Sequence, residues 1–182
     1  MANHVTAKIS VTGNDAVREE FNQRVEKAGH YLWGFWVEEK DWTSDIQREK
    51  VGPKWALIDY SDEDEMNTTS AWSPPTEFCN NLYDELKEID PSVEITMTYE
   101  DEFPNFVGVY VVNEEGGSGE DLEWDEIVER VKEQHKELTE PKYWDEENQE
   151  FTEEGDDFFR DVMWEDISNW QFVTADRYQQ GE

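Results

Sequence analysis

The chain has 182 residues, enough for one core or for one core with an appendage, and 14% of them are aromatic, nine being Trp. That apolar content excludes a wholly disordered acidic chain and requires a packed domain. With 47 acidic and 15 basic side chains the formal charge is −32, which repels nucleic acid and anionic membrane and points to basic partners.

In chain order, His4 to Val11 alternates, with Val5, Ala7, Ile9 and Val11 on one face of a strand. Asn14 or Asp15 caps an amphipathic helix over 16–28, carried by Val17, Phe21 and Val25 and ended by Gly29. The aromatic run Tyr31–Val37 reads either as a strand or as a buried loop. Trp55–Tyr60 and Asn67–Trp72 form a hairpin around the acidic tip Asp62-Glu63-Asp64-Glu65. Pro75 suits the first turn of a second helix, with Phe78, Leu82, Leu86 and Ile89 as its stripe and Asp90-Pro91 as its stop. Val93, Ile95, Met97 and Tyr99 alternate as a strand, and Phe106–Val112 forms another. The Gly116-Gly117-Ser118-Gly119 stretch reads as a domain boundary. Beyond it a helix is predicted over about 121–139 and a second through Phe158, Phe159, Val162, Met163, Ile167 and Trp170. Gln171–Tyr178 reads as a short strand, and Asp145–Asp157 as an acidic loop. No internal repeat is present.

Four segments occur in order: ANHVTAKISVTG (Ala2–Gly13), GPKWALID (Gly52–Asp59), TSAWSPP (Thr69–Pro75), and Tyr99 followed by FVGVYVVNEEG (Phe106–Gly116). Together they resemble the YubB/Api-like family of ferredoxin-like proteins of phages and plasmids, over residues 2–116. The AWSPP run ahead of a helix is the most specific of these signals. The resemblance implies an α+β fold, a ferredoxin-like antiparallel sheet with two helices on one face, and a mobile-element origin. It implies no activity. Residues 1–116 are then a ferredoxin-like domain, and residues 117–182 an acidic, mainly helical extension packed on it or linked to it. The extension is where the chain departs from the pattern, so its own function is sought there.

Catalytic and metal-binding signatures are absent from the sequence. The single cysteine, Cys79, allows no intramolecular disulfide and no iron–sulfur cluster, and it fits a reducing cytoplasm. His4, His30 and His135 lack metal-ligand spacing. The Asp62–Asn67 cluster lacks the glycine and distal glutamate of a calcium loop. No phosphate loop, nucleophile elbow or HExxH motif occurs. The N-terminus has no secretion-signal pattern, and no apolar run approaches membrane-span length. The expectation is a cytoplasmic protein, in the host cell if phage-encoded, with no enzyme activity and no cofactor.

Charge is the remaining signal. Residues 1–90 carry a net −10 and residues 91–182 a net −22. Residues 113–157 alone hold 19 acids against 4 bases. Glu outnumbers Asp 30 to 17, unlike the Asp-rich style of salt adaptation. On the predicted 121–139 helix, Glu126, Glu129, Glu133, Glu137 and Glu140 fall three or four residues apart, in one stripe with Asp121 and Asp125 nearby. An ordinary soluble helix also has such a face, and Arg130, Lys132 and Lys136 interrupt this one. The following loop adds Asp145, Glu146, Glu147, Glu150, Glu153, Glu154, Asp156 and Asp157. Four helical residues rise about 6 Å, close to the spacing of successive phosphates along a nucleic-acid strand. The expected function is to mimic nucleic-acid charge and inhibit a host nucleic-acid-binding protein of defence or transcription. The alternative is a non-inhibitory module or chaperone that docks a basic partner. Trp144 and Phe151 are candidate aromatic anchors within the acidic loop.

Overall fold

A computed structural model describes residues 3–102 and 105–181. Ala2, the first residue of the N-terminal motif, lies outside the described residues. The described residues form a mixed α+β structure with five α-helices and a six-stranded antiparallel sheet, its strands side by side in the order Ala56–Asp62, Glu65–Ala71, His4–Thr12, Glu94–Asp101, Phe106–Asn113, Gly116–Glu123.

Most of the predicted elements form where periodicity puts them. Strand β1 (His4–Thr12) buries Val5, Ala7, Ile9 and Val11. Helix α1 (Asp15–Ala28) starts at Asn14, whose side-chain oxygen accepts from the Val17 N–H at 3.1 Å. It ends at Gly29, whose φ of +64° suits glycine. The aromatic run is a buried loop: Leu32–Phe35 makes one 3-10 turn, and Phe35 meets Phe78 edge-on at 4.9 Å. Strands β2 (Ala56–Asp62) and β3 (Glu65–Ala71) form the hairpin, which is tighter than expected, so half of its acidic tip lies in strand. Helix α3 (Thr76–Leu86) begins just after Pro75 and stops before Ile89, which is exposed. Strands β4 (Glu94–Asp101) and β5 (Phe106–Asn113) follow.

Helix α2 (Ser44–Lys50) has no counterpart in the sequence reading. It is seven residues long and buries only Gln47, too little to leave a period.

The largest correction concerns the Gly/Ser stretch. It is no flexible boundary: Gly116–Glu123 forms strand β6, paired with β5 from Asn113↔Gly116 to Phe106↔Glu123. The glycines are receptors for neighbouring aromatic rings. A Cβ at Gly117 or Gly119 would strike the side chain of Tyr110, and one at Gly108 would strike Tyr99 and Asp121. The absent side chains let Tyr110 reach Asn80 on α3 at 2.9 Å and Tyr99 reach Asp121. A stretch whose composition reads as linker is thus held in the sheet by its neighbours' rings.

The acidic half also differs in detail. The 121–139 helix is shorter: α4 spans Trp124–Gln134, and Lys136–Thr139 forms a separate 3-10 turn. The Asp145–Asp157 loop is largely ordered, as a small hairpin, β7 (Trp144–Asp145) with β8 (Glu150–Phe151), followed by the start of α5. Helix α5 runs from Glu153 to Gln179, so Gln171–Tyr178 is helical and not a strand. The reason is packing. Phe159, Met163, Ile167, Trp170 and Thr174 continue one buried stripe at helical spacing, and this overrides the local β propensity of Phe172-Val173-Thr174.

Two cores flank the sheet. Helices α1 and α3 and the aromatic loop pack with β1 and β4 on one face. Helices α4 and α5 cover Val107, Val109 and Val111 of β5 on the other. Alternation along β5 serves both, because Phe106, Tyr110 and Val112 face the first core. The helices therefore do not all lie on one face.

Cys79 is fully buried in the first core, its sulfur 3.9 Å from Met97 Sδ. Burial pushes its thiol well above the ordinary value. Folded protein at neutral pH is therefore expected to leave a disulfide-exchange chromophore unreacted and to release one equivalent on denaturation. Stoichiometric release from folded protein would show that this core opens.

Candidate acidic interaction surface

All the predicted site residues except Asp121 fall on four consecutive elements, α4, the 3-10 turn after it, the small hairpin and the start of α5. Asp125, Glu126, Glu129 and Glu133 are exposed on α4, and Glu137 and Glu140 on the turn that follows. The inner side of α4 is set by Ile127 and Val131, buried against the sheet, which turns the glutamates outward. Asp145, Glu146, Glu147 and Glu150 belong to the small hairpin, and Glu153, Glu154, Asp156 and Asp157 to the first turns of α5.

Several of these carboxylates have local structural work. Asp121 lies on β6, not on the helix, and accepts from the Tyr99 hydroxyl. Glu126 closes a capping box: its side chain accepts from the Glu123 N–H at 2.9 Å, while the Glu123 side chain accepts from the Glu126 N–H in return. Asp145 accepts from the Glu147 N–H at 2.9 Å and from the Asn148 N–H at 3.1 Å, tying the hairpin turn. Glu154 pairs with Lys142 at 2.9 Å and Asp156 with Arg160 at 2.6 Å. By contrast, among the described residues no ion pair engages Asp125, Glu129, Glu133, Glu137, Glu140, Glu147, Glu150, Glu153 or Asp157.

The cations that interrupt the stripe in sequence do not all interrupt it in space. Lys132 folds over the hairpin: its Nζ lies 3.0 Å from the centroid of the Trp144 ring and 5.3 Å from that of Phe151. Desolvation there holds its pKa below the ordinary lysine value despite Glu129 and Glu146 nearby. Trp144 and Phe151 are therefore half-buried clamps joining α4 to the hairpin, and Phe151 also packs on Phe159 at 4.9 Å. As candidate anchors they offer a partner only the part of each ring left uncovered by this packing. His135 Nε2 lies 3.1 Å from Asp166 Oδ2 where the end of α4 meets α5, without hydrogen-bond alignment between the two. Sequence reasoning missed this inward turn of Lys132, for which no local pattern is a signal.

Stability should register this charge. Desolvation raises the pKa of Glu94 and, with repulsion from Asp101, of Glu100. An acid whose folded pKa exceeds its unfolded one opposes folding when ionised, and the opposition begins to lift as pH falls through the folded value and is gone below the unfolded one. Asp90 and Asp145 are shifted the other way, by hydrogen bonds from Ser92 and from Asn148 first, so their support fails only below the ordinary aspartate range. The melting temperature should therefore rise from pH 7 toward about pH 5, where the self-repulsion also begins to relax, and fall at lower pH. Added NaCl at pH 7 should raise it too. A melting temperature flat in both variables would refute this account.

Among the described residues no helix is long and apolar enough to cross a membrane, and no group of three or more His, Cys, Asp or Glu is placed to hold a metal ion. Comparison of the chain with protein-family models, with curated proteins and with solved structures finds no match.

Proposed function

We propose that this chain is a non-catalytic acidic decoy: it presents phosphate-like charge from α4, the 144–151 hairpin and the start of α5 to a basic, nucleic-acid-binding protein, and blocks it. The observation that carries the reading is the run of exposed glutamates without ion-pair partners among the described residues, beside cations of which Lys132 is turned inward and Lys142 and Arg160 are paired internally, leaving Lys136 exposed among them. Such an arrangement destabilises the free protein through self-repulsion and is relieved when a basic surface docks. Origin on a phage or plasmid, and action in the host cytoplasm, rest on the sequence resemblance. The order β2-β3-β1-β4, with α1 before β2 and α3 before β4, supports a ferredoxin-like core to which β5 and β6 are added.

The test is capture of host proteins on the immobilised chain at low and high salt, followed by elution with duplex DNA. Retained proteins that bind nucleic acid, and that DNA displaces in competition, support occlusion of a nucleic-acid site. Retention that DNA leaves untouched favours docking without inhibition. No salt-sensitive retention at all would remove both readings.

A further inference from the structure

The two edges of the sheet are built differently. At the β2 edge the chain protects itself: the Ile58 N–H donates to the His30 carbonyl at 2.9 Å, Tyr31 bridges Leu57, and the β2–β3 register shifts between Ile58 and Tyr60. At the β6 edge none of these devices is present among the described residues. Strand β6 runs eight residues in unbroken register, without proline or lysine, and its residues are exposed or half-buried throughout. The two-residue loop at Glu114-Glu115 makes Asn113 and Gly116 a hydrogen-bonded pair, so alternate pairs inward follow. The Trp124 N–H donating to the Asn105 carbonyl at 2.8 Å fits the same phase. Gly117, Gly119, Asp121 and Glu123 therefore turn their backbone groups away from β5. Intramolecular partners on this side are few: Glu123 N–H goes to Glu126, and the Gly119 carbonyl accepts from Tyr178 at 3.4 Å.

We infer that the free edge of β6 takes an extended, Lys/Arg-rich segment of a partner protein as a seventh strand. The inference rests on the proposed docking of a basic partner and names how one part of that partner binds. Charge complementarity selects the occupant. Glu114, Glu115, Asp121 and Glu123 flank the edge, so a second copy of this strand would be repelled while a basic one is attracted. Backbone pairing supplies the contact and the acids supply the selection. A cleft between α3 and the edge, lined by Asp84, Glu88, Glu114 and Glu115 with Lys87 and Gly117, adjoins one end and suits a cationic side chain.

The probe is an acetylated peptide of about ten alternating Lys and Val residues, compared with two versions N-methylated on alternate residues in either phase. N-methylation keeps the charge and removes donors from one edge. One of the two versions should bind the full chain at least about tenfold more weakly than the parent, and the other close to it. Hydrogen exchange with the parent bound should slow at the Gly117, Gly119 and Asp121 amides. Equal binding of all three peptides, or protection on α4 and the hairpin alone, would overturn the edge inference and leave the acidic docking reading standing. No binding of any of them at low salt would overturn both.

Discussion

Reversing Glu129, Glu133, Glu137 and Glu140 to Lys should weaken salt-sensitive partner binding about a hundredfold while leaving the fold intact. All four side chains are exposed, and no ion pair engages them among the described residues. Glu126 is left out because it closes the capping box of α4, whose loss would destabilise the helix by about 1 kcal/mol and blur the comparison. The control is the same reversal at Glu19, Glu26, Glu39 and Glu49, which are exposed on the first-core side of the chain and away from the β6 edge. Each set moves the formal charge from −32 to −24, so the pair holds charge constant and varies only position. The first set should also flatten the dependence of affinity on salt, because fewer counterions are exchanged. Equal losses from both sets would mean that bulk charge steers binding and that no face is read. A larger loss from the control set would place the surface on the wrong core. No loss from either would end the electrostatic account.

Replacing Gly108 by Val should destabilise the protein by about 3 kcal/mol or more in guanidinium unfolding, far beyond the ordinary loss for a strand glycine. Gly108 stands between Tyr99 on β4 and Asp121 on β6 in one cross-strand row. The Tyr99 ring lies across it, and a side chain there would occupy the space of the ring and of the Asp121 carboxylate. The valine must expel Tyr99, a nearly fully buried member of the first core, and break its bond to Asp121. Tyr99→Phe tests the parts separately: it removes only the hydroxyl and should destabilise by about 1–2 kcal/mol. In a double-mutant cycle Gly108→Val and Tyr99→Ala should be strongly non-additive, since each removes what the other needs. Additive effects would show that the ring does not occupy the space above Gly108.

The residues legible in advance were those whose burial follows a local period. Val5 to Val11, Val17 and Phe21, Phe78 to Leu86, and Val93 to Tyr99 each write their buried face into spacing alone, so strand or helix type follows from them. Charge was equally local: the outward glutamates of α4 could be named because Ile127 and Val131 define the opposite side. What escaped was decided by residues distant in sequence. Gly116–Gly119 has no side chains with which to show a pattern, and it is a strand because Tyr110 lies over it from β5. Phe172-Val173-Thr174 favours a strand locally, yet the buried stripe from Phe159 to Thr174 keeps it helical. Lys132 reads as an interruption of negative charge, and only the approach of Trp144 and Phe151, twelve and nineteen positions away, withdraws it from the surface. Periodicity and net charge are sums over neighbours in the chain, so the sequence carries them by itself. Which edge of the sheet stays open, and which charges reach solvent, depends on contacts between elements, and only the tertiary structure decides those.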